Sequence, residues 1–259
     1  MAQRLEGRVA VVTGAASGIG TATARRFAKE GALLVLGDLD EDGGSSIASE
    51  CAADFVCTDV TQESQVQALL SNAVERHGRL DIVCNNAGIL VPGTLPDLAP
   101  EDWHRVIDVD LHSVYYGCRA AISHMRTSGG GAIVNLASVS GLAGDYAMPA
   151  YNAAKAGVLN FTRAIAMGHA REGIRINAVC PGVIDTPMSA AVKSFPKLVD
   201  AYCQNIPMGR FGRAEEIAAV IAFLASDDAS YVTGAALVAD GGLTAGTGQP
   251  HPGQVLDLP

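Results

Sequence analysis

Val9-Ala10-Val11-Val12-Thr13-Gly14-Ala15-Ala16-Ser17-Gly18-Ile19-Gly20 joins an apolar strand directly to a glycine-punctuated helix start. A strand written as an unbroken apolar run is covered on both faces, as in a parallel sheet. Gly14 lets the chain turn sharply, Gly18 lets backbone approach a pyrophosphate, and Gly20 lets the helix lie close to the sheet. The free N–H groups and positive dipole end of that helix, including those at Ser17 and Ile19, then face phosphate. Glycine turns between strand and helix are common by themselves. Here the spacing is G-x-x-x-G-x-G after Thr13, and Asp38 ends the next apolar run at 32–37. That carboxylate falls about 20 residues on, where a dinucleotide site needs an acceptor for the adenosine ribose hydroxyls.

Outward from this stretch, strand-like and helix-like segments alternate. Apolar strands read at 9–13, 32–37, 55–57, 80–85, 132–137, 174–180 and 235–238. Helical patterns read at 18–30, 42–51, 63–77, 100–126, 148–171 and 214–226. Apolar strands each followed by a crossover helix predict an α/β fold: a Rossmann-type, doubly wound parallel sheet of about seven strands, with helices on both faces. One domain, 1–259, accounts for the whole chain. Two segments break the rhythm. Residues 185–213 lack a strand pattern and read as a substrate lid. Residues 243–259 form a Gly/Pro-rich tail.

Hydrophobic residues make up 49% and charged residues 17%, a composition that buries a core and excludes disorder. A net charge of −9 without a Lys/Arg cluster argues against nucleic acid. No apolar stretch reaches the ~18–20 residues that span a bilayer, and no secretory pattern opens the chain, so a cytoplasmic setting is expected. Cys51, Cys57, Cys84, Cys118, Cys180 and Cys203 lack metal-ligand spacing and read as reduced, mostly buried thiols. No metal site is expected.

After the fifth strand comes Ser138-Val139-Ser140, then a helix carrying Tyr151-Asn152-Ala153-Ala154-Lys155. Tyr and Lys four apart share one helix face. An ammonium beside a phenol favours the phenolate. Moving a phenol from ~10 towards neutrality takes ~3 units, or ~4 kcal/mol, from the ammonium and a positive nicotinamide together. Such a Tyr exchanges a proton with a carbonyl or alcohol oxygen. Ser138 or Ser140 can hold that oxygen.

Thr13-Gly14-x-x-x-Gly18-x-Gly20, Asp59-Val60, Asn85-Asn86-Ala87-Gly88, Ser138, Tyr151-x-x-x-Lys155, Asn177 and Pro181-Gly182 occur in that order. With them the chain resembles the short-chain dehydrogenase/reductase family up to Gly242. The resemblance implies that Asp59, with Val60, meets the adenine, and that Asn86, Ala87 and Gly88 lie beside it. It implies Tyr151 as acid/base, Ser138 as orienter of the substrate oxygen, and Lys155 on the nicotinamide ribose. Pro181, Gly182, Ile184 and Thr186 would fix the carboxamide and diphosphate. The family commonly has Asn where this chain has Asp110, at a point whose backbone holds a proton-relay water to the Lys. An ionised Asp only accepts hydrogen bonds. Its charge would also offset that of Lys155.

The expected activity is NAD-dependent hydride transfer between the cofactor and a secondary alcohol or ketone. NAD is expected over NADP because an unpaired Asp38 carboxylate would repel a 2′-phosphate, and Ala16, Ser17 and Leu39 offer no cation. Leu90, Val91, Pro92, Val139, Leu142, Tyr146, Met148, Val183 and Met188 would make an apolar pocket for a hydrophobic or cyclic substrate, with Asp145 a solvated loop residue. A β-ketoacyl-thioester reductase of the same family is the alternative, and a catalytically silent NAD-binding relative a further one. The resemblance also implies a homotetramer.

Overall fold

The computed structural model describes residues 3–247; most of the 243–259 tail, residues 248–259, lies outside them. The chain runs β1 (Val9–Thr13), α1 (Gly18–Lys29), β2 (Leu33–Asp38), α2 (Glu41–Cys51), β3 (Asp54–Cys57), α3 (Glu63–His77) and β4 (Ile82–Asn85). It continues with α4 (Pro100–Ile107), α5 (Ser113–Ser128), β5 (Gly131–Leu136), α6 (Pro149–His169) and β6 (Ile174–Pro181). The last elements are β7 (Ile184–Asp185), α7 (Ala190–Lys193), α8 (Pro196–Asn205), β8 (Gly212–Arg213), α9 (Ala214–Ala225) and β9 (Ala236–Ala239). Seven strands form one parallel sheet in the order β3-β2-β1-β4-β5-β6-β9.

Why the strands read as continuous apolar runs is visible in β1. Val9 and Val11 enter a core with α3, α5 and α6 on one face, while Ala10 and Val12 enter a second with α1, α2 and α9 on the other. Period-two alternation feeds both cores, so Val9 to Val12 are apolar without a break. The chain leaves β1 towards β2 and β3, then returns to place β4 on β1's other side. At this reversal the strand ends part, and a cleft opens beyond their carboxyl ends.

Two predicted elements are corrected. The helix expected over 100–126 is interrupted by a π-helical turn, Asp108–His112, between α4 and α5. Its i→i+5 bonding takes one extra residue per turn, which helical periodicity does not reveal. Residues 185–213 do contain strand: Ile184–Asp185 pairs in parallel with Gly212–Arg213. Two residues are too short to leave a period-two signature.

Candidate active site

The turn after β1 is held by side chains from β4's end. Thr13 Oγ1 accepts from the Asn86 and Ala87 amides at 3.0 and 3.2 Å, and Asn86 Nδ2 donates to the Thr13 and Gly14 carbonyls at 2.9 and 3.0 Å. Gly14 has φ +65°, and a Cβ there would stand 2.8 Å from Ala87 Cα. α1 starts from Ser17 without a side-chain cap and has no acidic residue in its first turn. Its amide end therefore keeps its donors and positive partial charge for an anion. Gly20 differs from the rest of the motif. It does not line the cleft; a Cβ on it would drive into the Gly14 carbonyl, so it sets how closely helix and turn pack.

Asp38 stands at the end of β2 in the cleft wall. Its carboxylate is not unpaired, as expected above: Oδ2 accepts the Ala16 amide at 2.8 Å and Oδ1 the Asp40 amide at 3.0 Å. Two backbone donors fix its direction and leave further lone pairs. The residues touching it, Ala16, Leu39, Asp40 and Thr58, carry no cation. Asp59 Oδ1 accepts from the Thr61 amide and hydroxyl at 2.9 and 2.7 Å, so it too is a fixed carboxylate in the wall.

One cleft of about 620 Å³ unites this end with Ser138, Tyr151 and Lys155. Ser138 follows β5 by two residues; its Oγ donates to Ser140 Oγ and accepts the Ser140 amide, each at 3.1 Å. Tyr151 and Lys155 lie one turn apart on α6, the ammonium 5.4 Å from the ring centre. Lys155 Nζ donates to the Leu136 carbonyl at 3.0 Å and lies 3.0 Å from Asp110 Oδ2. Asp110 lies outside the cleft lining, fully buried in the π-turn, with Oδ1 accepting the Ile89 amide at 2.8 Å.

The surroundings of the Tyr151 phenol pull in both directions. Burial pushes Tyr151 above its ordinary value; Lys155 and a Ser138 hydrogen bond pull it down, while Asp110 adds to the rise. Within the protein, then, one ammonium does not carry the phenol towards neutrality. Burial pushes Lys155 down, but Asp110 and Tyr151 together more than restore it, leaving it above its ordinary value.

Of the pocket residues expected, Leu90, Val139, Met148, Val183 and Met188 line the cleft. Val91, Pro92, Leu142 and Tyr146 do not, and Tyr146 is 99% exposed. Asp145, expected to be a solvated loop residue, does line it. Val192 and Tyr202, from α7 and α8, were missed because nothing local marks a residue that meets the site only through tertiary packing. Arg105 also lines the cleft, paired with Asp102 at 2.9 Å. Burial lifts the Cys84 and Cys118 thiols to about 12 and Cys180 to about 11, whereas Cys57, expected among the buried thiols, is exposed and Cys51 and Cys203 are half-buried. No group of three or more possible metal ligands occurs among the described residues.

Residues 14–244 match the family model described as enoyl-(acyl carrier protein) reductase. The chain is 41% identical to meso-2,3-butanediol dehydrogenase of Serratia marcescens over 251 residues, covering 95% of this chain and 98% of the relative. It is 47% identical to cis-4-hydroxycyclohexanecarboxylate dehydrogenase of Sinomonas cyclohexanicum over 251 residues, 95% of this chain and 100% of that one. A solved short-chain type dehydrogenase/reductase from Mycobacterium marinum superposes with a TM-score of 0.89 at 34% identity, covering 94% of this chain and 98% of its own. With fold, cleft and relatives in agreement, the chain belongs to the short-chain dehydrogenase/reductase family, oxidoreductases that act on alcohols and ketones with a nicotinamide cofactor.

Proposed function

We propose that this protein is an NAD-dependent dehydrogenase/reductase for hydrophobic or cyclic secondary alcohols and the matching ketones. The observation carrying this reading is one cleft lined at one end by the uncapped α1 and the fixed Asp38 carboxylate, and at the other by Ser138, Tyr151 and Lys155. The residues fit a dinucleotide: Gly14, Ser17, Gly18, Ile19 and Thr186 would meet the diphosphate. Asp38 and Leu39 would meet the adenosine ribose, and Asp59, Val60, Asn86, Ala87 and Gly88 the adenine side. Pro181, Gly182 and Ile184 would meet the nicotinamide. Asp38 would disfavour a 2′-phosphate by charge, with no cation among the described residues that touch it to compensate.

When bound, the nicotinamide supplies the hydride acceptor in oxidation and the donor in reduction. The protein's part is to orient and to move protons. Ser138 Oγ holds the substrate oxygen, Tyr151 Oη takes its proton in oxidation and returns it in reduction, and Lys155 favours the phenolate. A bound nicotinamide's positive ring adds to Lys155 in lowering the buried phenol. Leu90, Val139, Met148, Val183, Met188 and Val192 offer an apolar wall to a ring carbon skeleton. The ring alcohol in the name of the Sinomonas relative is of that class. Segment 185–213, which contributes Met188, Val192 and Tyr202, acts as the lid of a single domain. A homotetramer fits the exposed Tyr115 and Met167 on α5 and α6, the exposed Tyr231 before β9 and the exposed Val238 on it; a cytoplasmic setting is part of the same proposal. No helix among the described residues is long and apolar enough to cross a membrane.

The test is turnover of matched cyclic and linear secondary alcohols with NAD or NADP, followed at the nicotinamide absorbance. Ring alcohols with NAD should give the highest kcat/KM. A preference for NADP, or no turnover of any alcohol or ketone, overturns the proposal.

A further inference from the structure

The Asp110–Lys155 contact is the least expected feature of the site. Asp110 is fully buried and Lys155 nearly so, 3 % exposed. Their charges stand 3.0 Å apart, at the junction of the π-turn with α6. Asp110 Oδ1 is spoken for by the Ile89 amide, so the carboxylate cannot rotate away without breaking that bond. Oδ2 has the Lys155 ammonium as a charge contact and no aligned hydrogen-bond partner among the described residues. Gly88 closes the same space, since a Cβ there would meet Asp110 Oδ2 at 3.1 Å and Lys155 Nζ at 3.4 Å. An amide at position 110 could still accept from Ile89, but it would turn an N–H donor, not an acceptor, towards the ammonium.

We propose that Asp110 is a positioning residue acting through Lys155: its carboxylate holds the ammonium as a paired charge and so shifts alcohol oxidation to more alkaline pH than an uncharged residue would. This rests on Tyr151 being the proton acceptor. The ammonium's pull on the phenol is partly cancelled by a negative charge held just behind it. The other groups bearing on the pair are few. Tyr151 faces Lys155 from its own helix, the neighbouring Ser138 favours the phenolate, and Asp145 adds a weaker negative charge. On Asp110's own turn, Asp108 is paired with His112 at 2.8 Å on the exposed side; on α4, Arg105 is paired with Asp102. The Leu136 and Ile89 contacts are backbone. Lys155 is thus the one charged group acting on Asp110 among the described residues.

Asp110→Asn tests this with two readouts. In the cofactor-free protein, tyrosinate absorbance is titrated in the parent and in Asp110→Asn. Each is paired with its own Tyr151→Phe partner, so that the other five of the six tyrosines subtract. The Tyr151 component should move down by about one pH unit or more, a tenfold or larger change in its acidity. With NAD and alcohol, the rising limb of the kcat/KM profile should move the same way. An unmoved or upward-moved Tyr151 component overturns the proposal, whatever happens to kcat. Should Asp110→Asn not fold, Lys155→Met replaces it. Stripped of its partner, Asp110 should then show a protonated-carboxyl infrared band at neutral pH that the parent lacks, and absence of that band overturns the pairing. Full turnover in Tyr151→Phe would sink the acid/base reading separately, since the cofactor-free titration does not depend on it.

Discussion

Asp38 does its work with a carboxylate already held by two backbone amides, at 2.8 and 3.0 Å. On the proposed NAD preference, a charge fixed in direction would repel a 2′-phosphate whether or not a substrate is bound. Asp38→Ala removes the charge and a hydrogen-bond acceptor worth about 1.5–3 kcal/mol when charged. The kcat/KM ratio of NAD to NADP should therefore fall by about tenfold or more, chiefly through weaker NAD binding. Both cofactors compared on one alcohol give the ratio; an unchanged ratio would remove Asp38 from cofactor choice. Its place in the cleft wall was legible from sequence because it rests on position after an apolar strand. Its backbone partners were not, because the Ala16 amide reaches it only once the β1 turn has folded against β2.

At the scale of elements, the closest approach in the site is that of α1 to the turn it follows. Gly20 has no room for a methyl group against the Gly14 carbonyl, and the helix must move if one is added. Overpacking of this kind typically destabilises by about 1–3 kcal/mol. Gly20→Ala should lower the thermal unfolding midpoint and also weaken NAD binding, since the displaced amides are those facing the cleft. A variant as stable as the parent, with unchanged affinity, would show that the packing is looser than described. A second element-level contact joins the ends of α5 and α6. Glu172 is held down to about 2 by a hydrogen bond to Arg126, with His169 adding to it, against an ordinary 4.5. A carboxyl depressed in the folded state stabilises above its unfolded value and loses that contribution as pH falls towards the folded one. Thermal stability should accordingly decline as pH drops from 4.5 towards 2, and Glu172→Gln should decline less over that window. Equal slopes for the two proteins would refute the link.

Across the whole molecule, the parts legible in sequence are those written by local period and punctuation. The seven strands of the sheet fall within one or two residues of their apolar runs, because burial on both faces leaves an unbroken signal. Ser138, Tyr151 and Lys155 were found from a fixed order of short motifs, and the folded chain brings them to one cleft. What stayed hidden depends on tertiary contact. The π-turn that buries Asp110 has the composition of an ordinary helix, the paired β7 and β8 are two residues each, and Val192 and Tyr202 meet the cleft only by folding over it. The opposing pulls of burial, Lys155 and Asp110 on the phenol were hidden for the same reason, since they follow from tertiary contact.

In the proposed mechanism Tyr151 is the group that exchanges a proton with the substrate oxygen. Tyr151→Phe keeps the buried ring and deletes the hydroxyl. Its NAD dissociation constant, measured by calorimetry alongside turnover of the best ring alcohol, separates binding from proton transfer. The expected result is NAD affinity close to the parent's with turnover down by ~10²–10⁴-fold, the range a positioned acid/base group supplies. Turnover near the parent's, with NAD bound as tightly, would contradict it.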